Sequence, residues 1–314
     1  MAASVTIVIP AYRAEATVMR AVNSIKSSSI KADALVVEDG VLDNLQSLLL
    51  GQEGVALMTK STNAGAAAAR NTGLEAVRSK YVFFLDSDDY VGEQSFEKLI
   101  QVLDETGADV AFGPWCFVYD DVPSPSIKVP TLKSNGEFIA RWMQNECYPP
   151  CCVMWRTESL RRIGGWNESF RHNDDAELVI RALIAGFKVV VTDQGCGYYV
   201  QHDSPHRVSQ AASAVASEAA ERIFAMVVAH ETAARNGLLR NALAAFAYEQ
   251  ARRAYRAEEA TLGAIWHGRA KSLGLNGHLG STAHKVLATI LGLGVKERLA
   301  RVRDTVPAFK HRYK

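Results

Sequence analysis

Hydrophobic positions fall into two rhythms that alternate along the first half of the chain. Short continuous apolar runs at Val5 to Ile9, Ala34 to Val37, Val55 to Met58 and Tyr81 to Leu85 have the length and composition of buried strands. Between them, Ala14 to Ser27 carries Val18, Ala21, Val22 and Ile25 at helical spacing, a second helical stretch covers Leu42 to Leu50, and Ala64 to Ser79 is an Ala-rich helix. The alternation predicts an α/β fold with a mostly parallel sheet flanked by helices and ligands held at the carboxyl ends of its strands. A helix near 94–105 and a strand near 109–112 continue the pattern. The stretch from Tyr119 to Pro130, with an Asp pair and three prolines, reads as an exposed loop or an edge excursion. From about residue 210 the strand rhythm stops and an Ala-rich helical one replaces it. The expected organisation is an α/β domain over 1–210 and a C-terminal helical region with a basic tail over 211–314.

Composition narrows the class. With 314 residues, 48% of them hydrophobic and 22% charged, the chain can bury a full core. It has no apolar run of about 18 residues, the length a membrane-spanning helix needs. Its first residues enter the apolar run at Val5 without the basic start and cleavage site of a secretory signal. Five cysteines (Cys116, Cys147, Cys151, Cys152 and Cys196) lack paired Cys-x-x-Cys spacing, so reduced structural thiols in a cytoplasmic protein are expected. The net charge of +1 conceals an asymmetry: from Ser281 to Lys314 eight Lys or Arg face two acids, a net of +6, leaving −5 for the rest. A basic tail next to the apolar stretch Val286 to Leu293 suggests either peripheral contact with an anionic membrane or packing on the protein itself or on a second subunit.

The candidate chemistry starts at Asp86-Ser87-Asp88-Asp89, where three carboxylates end the strand run at Leu85. Gathered at a sheet edge, such acids suit a hard divalent cation shared with a polyphosphate. A turn with an acidic helix cap accounts for the same residues. After the first strand stands Pro10-Ala11-Tyr12-Arg13 instead of a Gly-x-Gly-x-x-Gly fingerprint, and no Gly-Lys-Ser/Thr loop occurs, which argues against dinucleotide enzymes and P-loop nucleotidases.

Five ordered blocks carry a resemblance. Val5 to Tyr12, Leu35 to Gly40, Asn63-Ala64-Gly65 with Ala69-Arg70-Asn71, Phe84 to Asp89, and Asp174-Asp175-Ala176-Glu177-Leu178 with Arg181 and Gly186-Phe187 together resemble an inverting family 2 glycosyltransferase of GT-A fold, of the kind that assembles bacterial polysaccharides. The resemblance implies transfer of a sugar from a nucleoside-diphosphate sugar, a UDP-sugar by expectation, to a hydroxyl of a glycan or lipid-linked oligosaccharide. It places the nucleotide at Pro10, Ala11, Tyr12, Asp39, Asn63, Arg70, Asp86 and Ser87. A Tyr face suits a base, and an Asp accepts from a base N–H or a ribose hydroxyl. Arg70 could instead pair with the Asp cluster. Mn2+ or Mg2+ would be held by Asp88, with His202 as the other candidate ligand, while Asp89 supports the turn. Asp175 is the expected catalytic base, taking a proton from the acceptor hydroxyl; without its surroundings it would read as a helix cap. Asp174, Trp166 and Arg207 are candidates for acceptor contact or for a lid, and Trp142 and Trp155 for stacking on sugar rings. Three positions depart from the family pattern: Arg13 for the usual Asn, Glu38 for Asp, and Asp174 for Glu. Two other functions compete, a nucleotidyltransferase that forms nucleotide sugars and a non-catalytic nucleotide-sugar scaffold. The first predicts a Gly-rich basic loop after the first strand, which is absent, and the second does not require Asp175.

Overall fold

The computed structural model describes residues 4–41, 45–144, 146–201, 213–230 and 237–305. Its chain divides into two compact units, one formed by residues 1–135 and 147–219, the other by 136–146 and 220–314.

The first unit is built on a seven-stranded sheet. Strands β1 (Val5–Ala11), β2 (Ala32–Asp39), β3 (Val55–Lys60) and β4 (Tyr81–Phe84) alternate with helices α1 (Val18–Lys26), α2 (Leu45–Leu49) and α3 (Ala66–Ala76). The unit continues with β5 (Tyr90–Val91), α4 (Ser95–Thr106), β6 (Val110–Phe112), β7 (Trp115–Tyr119), β8 (Val122–Pro123), β9 (Val153–Arg156), α6 (Thr157–Arg162), α7 (Asp174–Ile184), β10 (Val189–Val191) and β11 (Gly197–Gln201); α5 (Asn135–Met143) lies almost wholly in the second unit. The strand order of the large sheet is β10-β6-β9-β4-β1-β2-β3, with β9 antiparallel to both neighbours and the other pairs parallel. Strands β1 and β4 are buried almost throughout, as strands covered on both faces must be, which is why they read as unbroken apolar runs.

Helix α1 buries Val18, Ala21, Val22 and Ile25 on one face. It starts four residues later than the apolar spacing predicts. Arg13 takes a left-handed backbone (φ 53°), and the Ala14 carbonyl accepts from Thr17 and Val18, so the chain turns once before it coils. Helix α3 lies close to the sheet because its inner face is small: a Cβ on Gly73 would stand 2.4 Å from Val8 Cγ1.

A second sheet, ordered β5-β11-β7-β8, takes the first residues of the 119–130 stretch into an edge hairpin, one of the two readings that stretch allowed. Asp120 and Asp121 both adopt positive φ (49° and 60°), the requirement of a two-residue hairpin turn whose twist suits its strands. Pro123 is tolerated because β8 is an edge strand.

The second unit is helical. It contains most of α5, the later part of α8 (Ser213–Ala229), and α9 (Gly237–Arg256), α10 (Ala260–Ser272), α11 (Thr282–Leu291) and α12 (Leu293–Thr305). Trp266 of α10 is fully buried against Phe224, edge to face at 5.2 Å. Glu297 of α12, 0% exposed, accepts from Arg252 (2.8 Å) and Arg256 (2.5 Å) of α9 and from its neighbour Lys296 (2.9 Å). No described helix is long and apolar enough to cross a membrane.

Candidate active site

The parallel strands deliver their last residues to one edge. At the end of β1, Pro10 and Ala11 are buried while Tyr12 is 38% exposed, with the Arg13 guanidinium 5.4 Å from its ring centre. At the end of β2, Glu38 accepts from the Thr59 hydroxyl (2.9 Å). The Asp39 carboxylate, also buried, accepts from Lys60 Nζ (2.8 Å) and from the backbone N–H groups of Ala64 (3.0 Å) and Gly65 (2.6 Å). Asp39 thus pins the loop that leads into α3, on which Asn63 is exposed.

At the end of β4 the acids separate by environment. Asp89 is fully buried and accepts from the backbone N–H of Val200 on β11, while its own N–H bonds the Asp86 carbonyl and closes the turn. Ser87 and Asp88 are half-buried, and the Asp88 carbonyl is held by Arg20 Nη2 of α1 (2.8 Å). Asp86 turns toward α3, where it accepts from Arg70 Nη2 at 2.6 Å.

Arg70 is the centre of the arrangement. Buried on α3, it donates through its other arm to Asp174 Oδ2 at 2.7 Å and lies 4.3 Å from the ring centre of Trp166. Burial opposes its charge, but Asp86 and Asp174 together hold its pKa above the ordinary value. Arg70 therefore ties the acid at the end of β4 to the acids opening α7. Asp174 is itself raised by burial, against the pull of Arg70. Half-buried Asp175, which accepts from the Ala176 N–H (2.8 Å), is pushed up to about 7, first by burial and then by the adjacent charge of Asp174. A carboxyl in that range can both hold and release a proton near neutrality.

Residues outside the expected set fix this geometry. Glu177 takes two hydrogen bonds from Arg181 (2.8 and 3.0 Å), which also donates to the carbonyls of Ile163 (2.5 Å) and Gly165 (2.7 Å). Asn71 holds Trp166 by both backbone groups, accepting from its N–H and donating to its carbonyl, each at 2.9 Å. Gly165 permits that approach: its φ is 66°, and a Cβ there would lie 2.7 Å from Asn71 Oδ1. Asn71, Glu177 and Arg181 belong to the sequence blocks quoted above, but their work is to orient other residues, which spacing alone does not reveal. Arg20 left no motif at all.

Trp142 and Trp155, 7% and 2% exposed, offer no face to a sugar ring. Each sits on an inward-facing position, Trp142 on the apolar side of α5 and Trp155 in the middle of the large sheet. His202 and Arg207 lie outside the described residues. Among the described residues no group of three or more His, Cys, Asp or Glu side chains converges as a metal site.

The model of glycosyl transferase family 2 matches residues 6–164, half of the chain. The chain belongs to that family. Its relatives include an uncharacterized glycosyltransferase of Haemophilus influenzae, 26% identical over 177 residues that make up 55% of this chain and 69% of the relative. The amylovoran biosynthesis glycosyltransferase AmsB of Erwinia amylovora is 27% identical over 210 residues, 62% of this chain and 69% of that one. Two further curated relatives are matched over only 16% and 42% of their own length. Among solved structures, that of Staphylococcus aureus TarS 1-349 in complex with UDP-GlcNAc has the same fold, with a TM-score of 0.68 over 95% of this chain and 89% of that chain at 16% identity. The family 2 assignment and the GT-A architecture thus agree with the motifs of the sequence.

Proposed function

We propose that this family 2 glycosyltransferase moves a sugar from a UDP-sugar to a hydroxyl of a glycan or lipid-linked oligosaccharide, with inversion at the anomeric carbon, in polysaccharide biosynthesis. The observation that carries the proposal is Asp175, a carboxyl raised to about 7 and joined through Asp174 and Arg70 to Asp86 at the end of β4. The exposed ring of Tyr12 and the loop pinned by Asp39 receive the base and ribose, and Asp86 with Ser87 the ribose and diphosphate side. Asp175 accepts the proton of the acceptor hydroxyl as its oxygen attacks the anomeric carbon opposite the departing nucleoside diphosphate. A single displacement inverts the configuration. The amylovoran pathway assignment of AmsB and the UDP-GlcNAc bound by TarS support the choice of reaction and donor class.

The half-buried carboxylate of Asp88 fits Mn2+ or Mg2+, because such cations take hard oxygen donors and are commonly held by one or two carboxylates plus substrate phosphates. His202 is the second candidate ligand. When bound, the cation supplies positive charge to the leaving diphosphate. Replacing Asp88 by Ala is expected to weaken manganese-dependent UDP binding at least tenfold, measured by calorimetry with and without the metal; unchanged binding removes Asp88 from the site.

Peripheral contact with an anionic lipid surface is part of the proposal. Helix α11 exposes Val286, Leu287 and Ile290 along one side, and Lys285 and Arg298 are exposed nearby in sequence. Incubating the protein with nucleotide sugars and manganese, then identifying the released diphosphate and the anomer formed, tests the central reaction. Retention of configuration would contradict it.

A further inference from the structure

Helix α1 turns a second face toward the acids at the end of β4. Its core face carries Val18, Ala21, Val22 and Ile25, while Arg20 and Ser24, one helical turn apart, meet the chain that follows Leu85. Ser24 Oγ accepts from the backbone N–H of Val91 (3.2 Å), and Arg20 Nη2 donates to the backbone carbonyl of Asp88 (2.8 Å). The other arm of the same guanidinium, Nη1, donates to Asp121 Oδ1 at 2.8 Å, in the turn between β7 and β8. The guanidinium carbon lies 5.4 Å from the ring centre of Tyr90, and Nε is buried with no acceptor among the described residues. Arg20 thus has a fixed seat, its fork closed on two different turns.

The turn after β4 is already secured without this fork. The Asp89 side chain accepts from the Val200 N–H, and the Asp89 N–H bonds the Asp86 carbonyl. Asp121 is 83% exposed, and an ion pair that open to water adds little to stability. What the fork holds is the carbonyl of Asp88, and with it the direction in which the Asp88 carboxylate leaves the backbone. Of the acids ending β4, Asp86 is turned to Arg70 and Asp89 is buried against β11. Asp88 is the one proposed to hold the cation.

We infer that Arg20 is a positioning residue for donor binding: by gripping the Asp88 carbonyl it aims the Asp88 carboxylate at the cation shared with the donor diphosphate, while Asp121 steadies the guanidinium and offsets its charge. The inference rests on the proposed role of Asp88 and adds to it a residue that none of the five sequence blocks contains. A lysine could reach one of the two partners, but its ammonium lacks the planar fork that bonds both. An arginine without a counter-ion beside a cation site would repel the cation it helps to place, and Asp121 removes that conflict. Groups that orient a metal ligand from behind typically change metal affinity by about 10- to 100-fold when they are removed.

Calorimetry of the full chain with UDP, once in manganese and once in EDTA, gives the ratio of the two affinities, which measures the coupling to the metal. Arg20→Met keeps an unbranched chain beside Tyr90 and is expected to lower that ratio about tenfold, with UDP affinity in EDTA within about twofold of wild type because Tyr12 and Asp39 are untouched. Arg20→Lys is expected to recover part of the ratio. Asp121→Ala is expected to lower it about two- to threefold, more at low ionic strength than at high. A merely structural Arg20 would move the melting temperature, or both affinities together, and leave the ratio where it is. An unchanged ratio in Arg20→Met, with Asp88→Ala lowering it, overturns the inference and leaves the cation at Asp88. If manganese does not strengthen UDP binding by the wild type, or Asp88→Ala leaves the ratio unchanged, both readings fall. If Arg20→Met does not fold, Arg20→Lys and Asp121→Ala decide, and a wild-type ratio in both overturns the inference.

Discussion

Asp175 is stripped of water by burial and set beside a carboxylate of its own charge, and both effects favour its protonated form. Its pKa in the folded state lies above the ordinary 3.8, at about 7, so between these values the native protein binds a proton that the unfolded chain has released. The contribution of this group to stability is therefore fully present below about pH 4 and is lost as pH rises through 7. Activity follows the opposite direction, because a base must be deprotonated: the acid limb of the kcat/KM profile is expected near pH 7. The charged groups facing it are Asp174, Arg70 and Asp86. Asp174→Asn removes the nearer like charge and is expected to move that limb to lower pH, whereas Arg70→Gln is expected to move it higher. Initial rates across pH 5 to 9 measure both, and a limb that stays put in both variants contradicts the role of Asp175. Arg70→Ala also leaves two acids without their cation and is expected to cost about 3–5 kcal/mol of stability, the usual penalty for breaking a buried pair. The sequence exposed these residues as motif members. It left open whether Arg70 meets phosphate or the acids, and the structure has it spanning two acids that are 88 residues apart in sequence, a pairing that only the folded sheet edge creates.

At the scale of elements, legibility followed burial. Strands β1, β2 and β4 were readable because both faces are covered, and α1 because its buried positions repeat at helical spacing. The β7–β8 hairpin was legible only as a loop or an edge excursion, since two Asp residues at positive φ and a proline on an edge strand carry the composition of a loop. The pairing of β5 with β11, more than a hundred residues apart, was not legible, since segments this short carry no periodicity that names a partner. The close seating of α3 against β1 gives a test at this scale. Gly73→Ala places a methyl against Val8 and is expected to cost about 1–3 kcal/mol, the range of an overpacked core, read from urea denaturation. An unchanged midpoint would mean that α3 sits farther from the sheet than described.

For the molecule as a whole, the charge asymmetry of the C-terminal region was visible in sequence, but its use was not. Part of the basic tail is spent on the protein's own acids: Lys296 joins Arg252 and Arg256 of α9 on buried Glu297, and Arg301 pairs with Glu258 at the surface. Burial alone would raise the pKa of Glu297, yet hydrogen bonds from Arg252, Lys296 and Arg256 hold it down at about 2. Its folded pKa is depressed, so the stability it contributes is present above the unfolded value of about 4.5 and is lost as pH falls toward 2. Glu297→Gln is expected to lower the melting temperature at pH 7 and to flatten the loss of stability between pH 5 and 3, followed by thermal melts across that range. A variant that melts like the wild type at every pH would show that the network holds nothing together. In the first unit, by contrast, the sheet edge does the assembling: the ends of β1, β2 and β4 and the starts of α3 and α7 supply the site, and the proposed reaction requires all five. Its most direct test is Asp175→Asn, assayed for UDP binding and for UDP-sugar turnover side by side. The amide should keep UDP affinity within about threefold of wild type while turnover falls by about 100-fold or more, the scale of a lost general base. Turnover within about threefold of wild type would contradict the account.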